Sequence, residues 1–254
     1  MSIEATDQAA KNATADPSVD AHAPLSEPAM SALLSVGTAT ITTQLLSRGF
    51  RNTFLEGLFV SNPSRQRMVG EAFTMRSIPA REDIDVPAIF QDYDHPQRKG
   101  VESVQPGQVL VIDSRGKKRA ASLGHILATR LRARGAAGVV TDGSLRDMEG
   151  FETLDLPTFS AGPSPTTNLA QHHVVDFQVP IACAEVAVYP GDIIVSDRDG
   201  VVCIPRHLAE SVAIDSAEQE RLEEFVLARI EDGKPLRGTY PPNEETMRAY
   251  WEQR

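Results

Sequence analysis

Residues 107–143, "GQVLVIDSRGKKRAASLGHILATRLRARGAAGVVTDG", decide the fold. The stretch opens on a compact apolar run, 107–113, which follows the turn "QPG" and reads as a strand. Past a basic segment, Ile126, Leu127 and Leu131 mark one face of a helix that Gly135 stops. Val139 and Val140 begin a second strand, which ends at Asp142 and Gly143. Strand, helix and strand within about 35 residues form a βαβ unit, with a right-handed crossover expected. The predicted class is therefore α/β.

Toward the N-terminus, residues 1–28 are rich in Ala, Asp, Ser, Thr and Pro and read as a mobile tail. Such a composition buries too little apolar surface to offset its ordering entropy. The segment "SALLSVGTATITTQLLSRGF", 31–50, predicts two short helices meeting at Gly37. Residues 68–80 alternate as a strand. Residues 81–100 mix charge, proline and aromatics, as expected of a loop with a short helix. Toward the C-terminus, 172–205 predicts a series of short strands with turns at Pro190-Gly191 and Asp199-Gly200. A long helix from about Arg206 to Asp232 follows, with Leu222, Phe225, Val226 and Ile230 on one stripe and Gly233 as its stop. The end, "EETMRAYWEQR", suits a short helix docked on a neighbouring subunit. The domain reading is a tail over 1–28, one domain over 29–236 and a C-terminal extension over 237–254.

The chain has 254 residues, 41% hydrophobic and 24% charged, with a formal net charge of −10. That acidity argues against nucleic acid as the main ligand, since phosphate binding normally needs a basic face. The two cysteines, Cys183 and Cys203, lie in apolar strand-like runs and read as buried thiols. No run is long enough to span a bilayer and the N-terminus carries no signal-like apolar stretch, so a cytoplasmic protein without membrane contact is expected.

Three features converge on the chemistry. Gly124 stands where the helix begins, so the backbone N–H groups of His125, Ile126 and Leu127 are first-turn donors without helical partners, suited to a carboxylate or phosphate. The returning strand delivers Arg146 and Asp147 to the same edge, where ligands sit in open α/β sheets. Arginine offers a planar fork to a carboxylate or an enolate oxygen. Aspartate is a hard oxygen ligand for Mg²⁺ or Mn²⁺. The picture is a small 2-oxo acid with its carboxylate on the helix start, a divalent metal at Asp147, and Arg146 neutralising charge as a carbon–carbon bond breaks. Each feature also has a plainer reading: a surface ion pair for Arg146 and Asp147, a solvated His125, a turn residue in Asp142, and a hairpin shaped by the aspartates near Gly200.

"GHILATRLRARGAAGVVTDGSLRD", 124–147, resembles the signature of the RraA-like family. So do "LPTFSAGPSP", 156–165, and "VYPGDIIVSDRDGVVCIP", 188–205. The resemblance runs from about Leu33 to Gly233. It implies a layered β/β/α swivelling domain, here with N-terminal helices and a long C-terminal helix, assembled as homotrimers or homohexamers with sites between protomers. The family includes 4-hydroxy-4-methyl-2-oxoglutarate and 4-carboxy-4-hydroxy-2-oxoadipate aldolases, which also decarboxylate oxaloacetate, and a non-enzymatic regulator of ribonuclease E. In its aldolases the motif arginine contacts pyruvate and the next aspartate binds the metal, roles that fall on Arg146 and Asp147. The substrate-holding helix start falls on Gly124 through Leu127. A glutamate of the neighbour's C-terminal helix assists, matched here by Glu220 or Glu223, with Glu223 taken as catalytic. The family's acidic residue 21 positions before the arginine is His125 in this chain. A histidine there suits an acid/base role near neutral pH, or a different substrate. The resemblance thus implies a metal-dependent lyase. A hydrolase or dehydratase of a sugar-derived oxo acid, and a protein-binding regulator, remain as alternatives.

Overall fold

The computed structural model describes residues 24–253, so the expected tail lies, up to residue 23, outside the described residues. The first helix, α1 (Glu27–Ser35), starts within the last residues of that expected tail. Ser26 caps it by accepting the N–H of Ala29, while the backbone and hydroxyl of Ser26 both donate to Glu210 on the long helix. Gly37 separates α1 from α2 (Thr38–Ser47), as the sequence predicts. Asp197 accepts both the N–H and the hydroxyl of Thr38, and so holds the start of α2.

The strands that follow are β1 (Phe59–Val60), β2 (Met68–Pro79) and β3 (Gln108–Asp113). Between β2 and β3 the chain makes a 3₁₀ turn, Pro87–Gln91, and the helix α3 (Pro96–Ser103). Next come β4 (Ala121–Gly124), α4 (His125–Ala133), β5 (Gly138–Thr141), β6 (Ser144–Arg146), the short helix α5 (Met148–Thr153) and β7 (Thr158–Ser160). The expected series of short strands is β8 (His172–Phe177), β9 (Ile181–Cys183), β10 (Val186–Val188), β11 (Ile193–Ser196) and β12 (Val201–Ile204). The long helix is α6 (Ala209–Glu231), and α7 (Glu244–Glu252) ends the described chain.

The main sheet runs β1-β7-β5-β3-β2-β11-β12. Strands β2, β3, β5 and β7 are parallel neighbours, while β11 and β12 continue antiparallel. Besides β3, β2 is long enough to take two more partners: β11 along Met68–Glu71 and β8 along Met75–Pro79. Residues 53–60 bond to both sheet edges. Leu55 donates to Val201 of β12, and Phe59 and Val60 pair with β7. The sheet is thereby curled toward closure, which removes exposed edges.

Side chains alternate across this sheet with the strand period of two. Val109 and Val111 of β3 face an inner core shared with Val140, Phe159, Val201 and the β9–β10 hairpin. Leu110 and Ile112 face the opposite way, under Val101 of α3, Ala128 and Leu131 of α4, and Phe151 of α5. A third cluster packs Leu33, Ile41 and Leu45 of the N-terminal helices with Val212 and Ala213 of α6 onto β11 and β12. The result is the layered α/β arrangement expected, with helices outside a curled sheet and a hairpin within.

Two expectations change in detail. Ile126 does not mark the buried face of α4; it is 80% exposed, and Ala128 and Leu131 carry the burial instead. On α6, Val226 is buried, but Leu222, Phe225 and Ile230 are only partly covered. The C-terminal helix docks on its own chain: Tyr250 is buried, its hydroxyl donates to Glu218, and its ring meets that of Phe225 at 5.4 Å. Among the described residues no single helix is long and apolar enough to cross a membrane. The α1–α2 pair passes such a test only jointly, but it is bent by 117° and sends Ala29, Leu33, Ile41 and Leu45 into the core.

Candidate active site

The link between helix start and arginine is a strand pairing. β4 and β6 form a small parallel sheet of their own, with Gly124 opposite Arg146 in register. That pairing brings residues 22 positions apart in sequence side by side. Gly124 is also the N-cap of α4, with no side-chain cap, so the first-turn N–H groups depend on whatever enters the cleft. The approach is close: an added Cβ would stand 3.0 Å from Asp147 Oδ2 and 3.1 Å from Arg146 Nε, so a larger residue would press on both side chains.

Asp147 holds the left-handed conformation, φ 65° and ψ 46°, immediately before α5. For a non-glycine residue this costs free energy, although Asp and Asn tolerate it best. It turns the chain sharply, so that Arg146 and Asp147 both face the start of α4. Their side chains form an open ion pair, Nε to Oδ2 3.6 Å, with exposures of 41% and 54%. The remaining guanidinium donors and carboxylate lone pairs are open to a ligand.

Arg146 and Asp147 line one cleft with Gly124, Ile126 and Leu127. Its volume, about 230 Å³, falls below the roughly 300–1,000 Å³ of drug-sized sites and suits a small acid. Phe90, Gln97 and Arg98, from the segment between β2 and β3, and Asn168 complete the wall. The short helix expected in that segment is present, but the sequence does not single out Arg98, because nothing local tells an exposed cation from one folded over a neighbouring cleft.

His125 faces elsewhere. Its imidazole packs edge-on against Phe151, ring centroids 5.9 Å apart, and lies so close to Gly150 that a Cβ there would stand 2.4 Å from the ring. It lines a separate shallow cleft with Asp147, Met148 and Glu149. Asp147 thus belongs to both clefts, one shared with Arg146 and the other with His125.

Asp142 is buried and fully engaged, accepting the N–H groups of Ser114, Gly116 and Ala184 at 2.6, 2.8 and 3.4 Å. Burial still pushes its carboxyl above the usual range, against those three bonds. It is a turn residue that ties the β3–β4 loop to the β9–β10 hairpin, in line with its plainer reading. The aspartates near Gly200 also match theirs: Asp197 accepts the N–H of Asp199 within the hairpin. Beneath the cleft floor, the hydroxyls of Ser114, Ser122 and Thr141 bond to one another in a buried cluster that sequence reasoning did not find.

Glu220 and Glu223 line neither of these clefts. Glu220 accepts the N–H of Gly37 at the head of α2, and Glu223 accepts from Gln219 at 2.7 Å. Both border an apolar groove on α6 with Val226, Leu227, Ile230, Leu236 and Tyr240.

A curled, layered α/β domain with an Arg–Asp pair at a helix start defines the class of protein. The profile of the RraA-like family (Aldolase/RraA) matches residues 38–203, and the chain belongs to that family. It is 33% identical over 138 residues to a Halalkalibacterium halodurans protein provisionally named as a 4-hydroxy-4-methyl-2-oxoglutarate aldolase. That match covers 51% of this chain and 65% of the relative, just under two thirds of its length. A Thermus thermophilus 4-hydroxy-4-methyl-2-oxoglutarate aldolase is 30% identical over 148 residues, covering 58% of this chain and 82% of that one. Among solved structures, Streptomyces coelicolor RraAS2, described as an unusual member of the RNase ES inhibitor RraA protein family, superposes with a TM-score of 0.70 at 29% identity. It covers 80% of this chain and 97% of that one. An uncharacterized Pseudomonas syringae protein reaches 0.72 at 26% identity, covering 86% and 100%.

Proposed function

We propose that this chain is a divalent-metal-dependent carbon–carbon lyase acting on a 2-oxo acid through an enolate. It would release pyruvate by retro-aldol cleavage, decarboxylate oxaloacetate, or do both. The observation that carries the reading is the convergence of Arg146, Asp147 and the uncapped start of α4 on one small cleft. The aldolase names of the relatives from Halalkalibacterium and Thermus support it.

In this reading the substrate carboxylate accepts the N–H groups of residues 125–127, where the helix end favours an anion. Arg146 donates to the oxygen that gains charge as the C3–C4 bond breaks and its electron pair passes into the enolate. The C4 hydroxyl proton goes to a base, and the enolate carbon takes one back when pyruvate leaves. His125 shares a second, shallow cleft with Asp147, from which it would exchange protons with water around that carboxylate.

The donor set tests the metal. Among the described residues no group of three or more His, Cys, Asp or Glu side chains could cage an ion. One half-exposed carboxylate beside an oxygen-rich ligand instead suits Mg²⁺ or Mn²⁺, which keep several waters and use one or two protein carboxylates. Asp147 would hold the ion. When bound, it would supply Lewis-acid stabilisation of the developing negative charge. A homotrimer or homohexamer would bring Glu223 of a neighbour toward the cleft.

The test is a coupled assay of pyruvate release from 4-hydroxy-4-methyl-2-oxoglutarate and from oxaloacetate, with Mg²⁺ and with EDTA. Turnover that needs metal and falls at least about a hundredfold in Arg146→Ala, the loss typical of a missing oxyanion donor, is expected. A regulator that binds another protein is the second reading, favoured by the likeness to RraAS2 and by histidine at position 125. Absence of turnover on both acids together with absence of Mg²⁺ binding would support it over the lyase.

A further inference from the structure

We propose that Arg98 is a specificity-determining residue that reads a second carboxylate, at the end of the oxo acid remote from Arg146. This assignment rests on the oxo-acid reading above. Arg98 lies in the first turn of α3 and lines the same cleft as Gly124, Arg146 and Asp147. Its guanidinium is held in place. Nη2 donates to the Phe90 carbonyl at 2.6 Å, and the guanidinium carbon sits 5.9 Å from the centroid of the Tyr93 ring.

Arg98 and Arg146, the two arginines of this cleft, differ in their anions. Among the described residues no carboxylate pairs with Arg98, whereas Arg130 and Arg134 share Glu102, and Arg146 has Asp147 beside it. A half-buried cation fixed by a neutral carbonyl and an aromatic ring keeps most of its five donors for a ligand. Two arginines on the wall of one cleft of about 230 Å³ match a short chain with an anion at each end. A single carboxylate would leave Arg98 without a counter-charge. Phe90 and Gln97, on the same segment, close the wall around this second position, and the Gln97 amide is itself pinned by donating to the Ser122 carbonyl at 2.8 Å.

The test compares two substrates that differ only at the far end, 4-hydroxy-2-oxoglutarate and 4-hydroxy-2-oxopentanoate. In Arg98→Gln, kcat/KM for the dicarboxylate should fall about ten- to hundredfold, the range for losing a charge-assisted hydrogen bond, chiefly through KM. The monocarboxylate should change less than about twofold, and Arg98→Lys should recover part of the loss, since a point charge replaces a fork. Equal losses on both substrates, or none on either, would overturn the assignment. If the wild-type protein cleaves neither, the lyase reading fails on its own, and binding decides the role of Arg98. Thermal stabilisation by 2-oxoglutarate over 2-oxopentanoate that Arg98→Gln abolishes would keep the role, and equal stabilisation in both proteins would refute it.

Discussion

At the scale of single residues, Asp147 is decisive. Its left-handed backbone and half-exposed carboxylate separate two properties that one substitution can uncouple. Asn tolerates the same conformation and keeps the side-chain shape, so Asp147→Asn should leave thermal stability within the roughly ±0.5 kcal/mol of a surface change. Its Mg²⁺ affinity should drop by at least about tenfold, because an amide oxygen is a far weaker ligand for a hard dication than a carboxylate. Calorimetric titration beside a melting curve checks both; unchanged Mg²⁺ binding would remove the carboxylate from the site. Arg146 and Asp147 were legible in the sequence, since a guanidinium and a carboxylate just past a buried strand stand out against its apolar run. The direction of His125 was not. Its imidazole turns toward Gly150 and Phe151, residues whose closeness depends on the turn at Asp147 and on no local pattern.

At the scale of elements, the βαβ unit was readable from apolar runs and glycine stops, but the two strands that build the site were not. β4 has four residues and β6 three, each with a single buried leucine, Leu123 and Leu145, too short for any period to show. Their pairing satisfies the backbone of two mostly buried segments. The segment that carries Arg98 is braced by a second buried group. His95 caps α3 by accepting the N–H of Gln97 through Nδ1, and its ring meets that of His173, which bonds to the buried Asp85 at 2.7 Å. Burial, reinforced by His173 and Arg98 and opposed by Asp92 and Asp85, holds His95 below the ordinary imidazole value. Burial likewise lowers His172, with Arg115 adding to the shift.

An imidazole lowered by folding binds fewer protons in the native state than in the unfolded one. Its contribution is therefore complete above the unfolded value, about 6.5, and stability declines as the pH falls below it toward the folded value. Asp113, Asp142 and Asp192 are raised by burial and act with the opposite sign, in the acid range. His95→Asn keeps an acceptor for the Gln97 N–H, since Asn is a good N-cap, and removes one titration. The melting temperature of the wild-type protein should fall between about pH 7.5 and 5.5 more steeply than that of His95→Asn. Parallel profiles would show that His95 titrates alike in both states.

At the scale of the whole molecule, the α/β class followed from the βαβ unit and the layered arrangement from the family resemblance, but the curling of the sheet followed from neither. It depends on residues 53–60, which carry little pattern of their own and bond to both sheet edges. The long helix was legible as an element and misread as a surface. Its N-terminal half buries Ala209, Val212, Ala213 and Ser216 against the core, while its C-terminal half leaves Leu227 at 58% exposure beside Leu236 and Tyr240. An apolar groove edged by Glu220, Glu223 and Glu224 is the surface expected of an interface. Under the proposed assembly, Leu227→Asp should lower the sedimentation mass from trimer or hexamer toward monomer. A wild-type protein that sediments as a monomer, or a variant of unchanged mass, would contradict that assembly.

The central claim is that a guanidinium and a dication-holding carboxylate serve one small cleft at the start of α4. Oxalate, which mimics the enolate of pyruvate in shape and charge, tests it most directly by calorimetric titration in the presence and absence of Mg²⁺. Oxalate should bind the wild-type protein only with Mg²⁺ and bind Arg146→Ala at least about tenfold more weakly, as expected when a charge-assisted pair is lost. Binding of equal strength with and without Mg²⁺, undiminished in Arg146→Ala, would contradict the account.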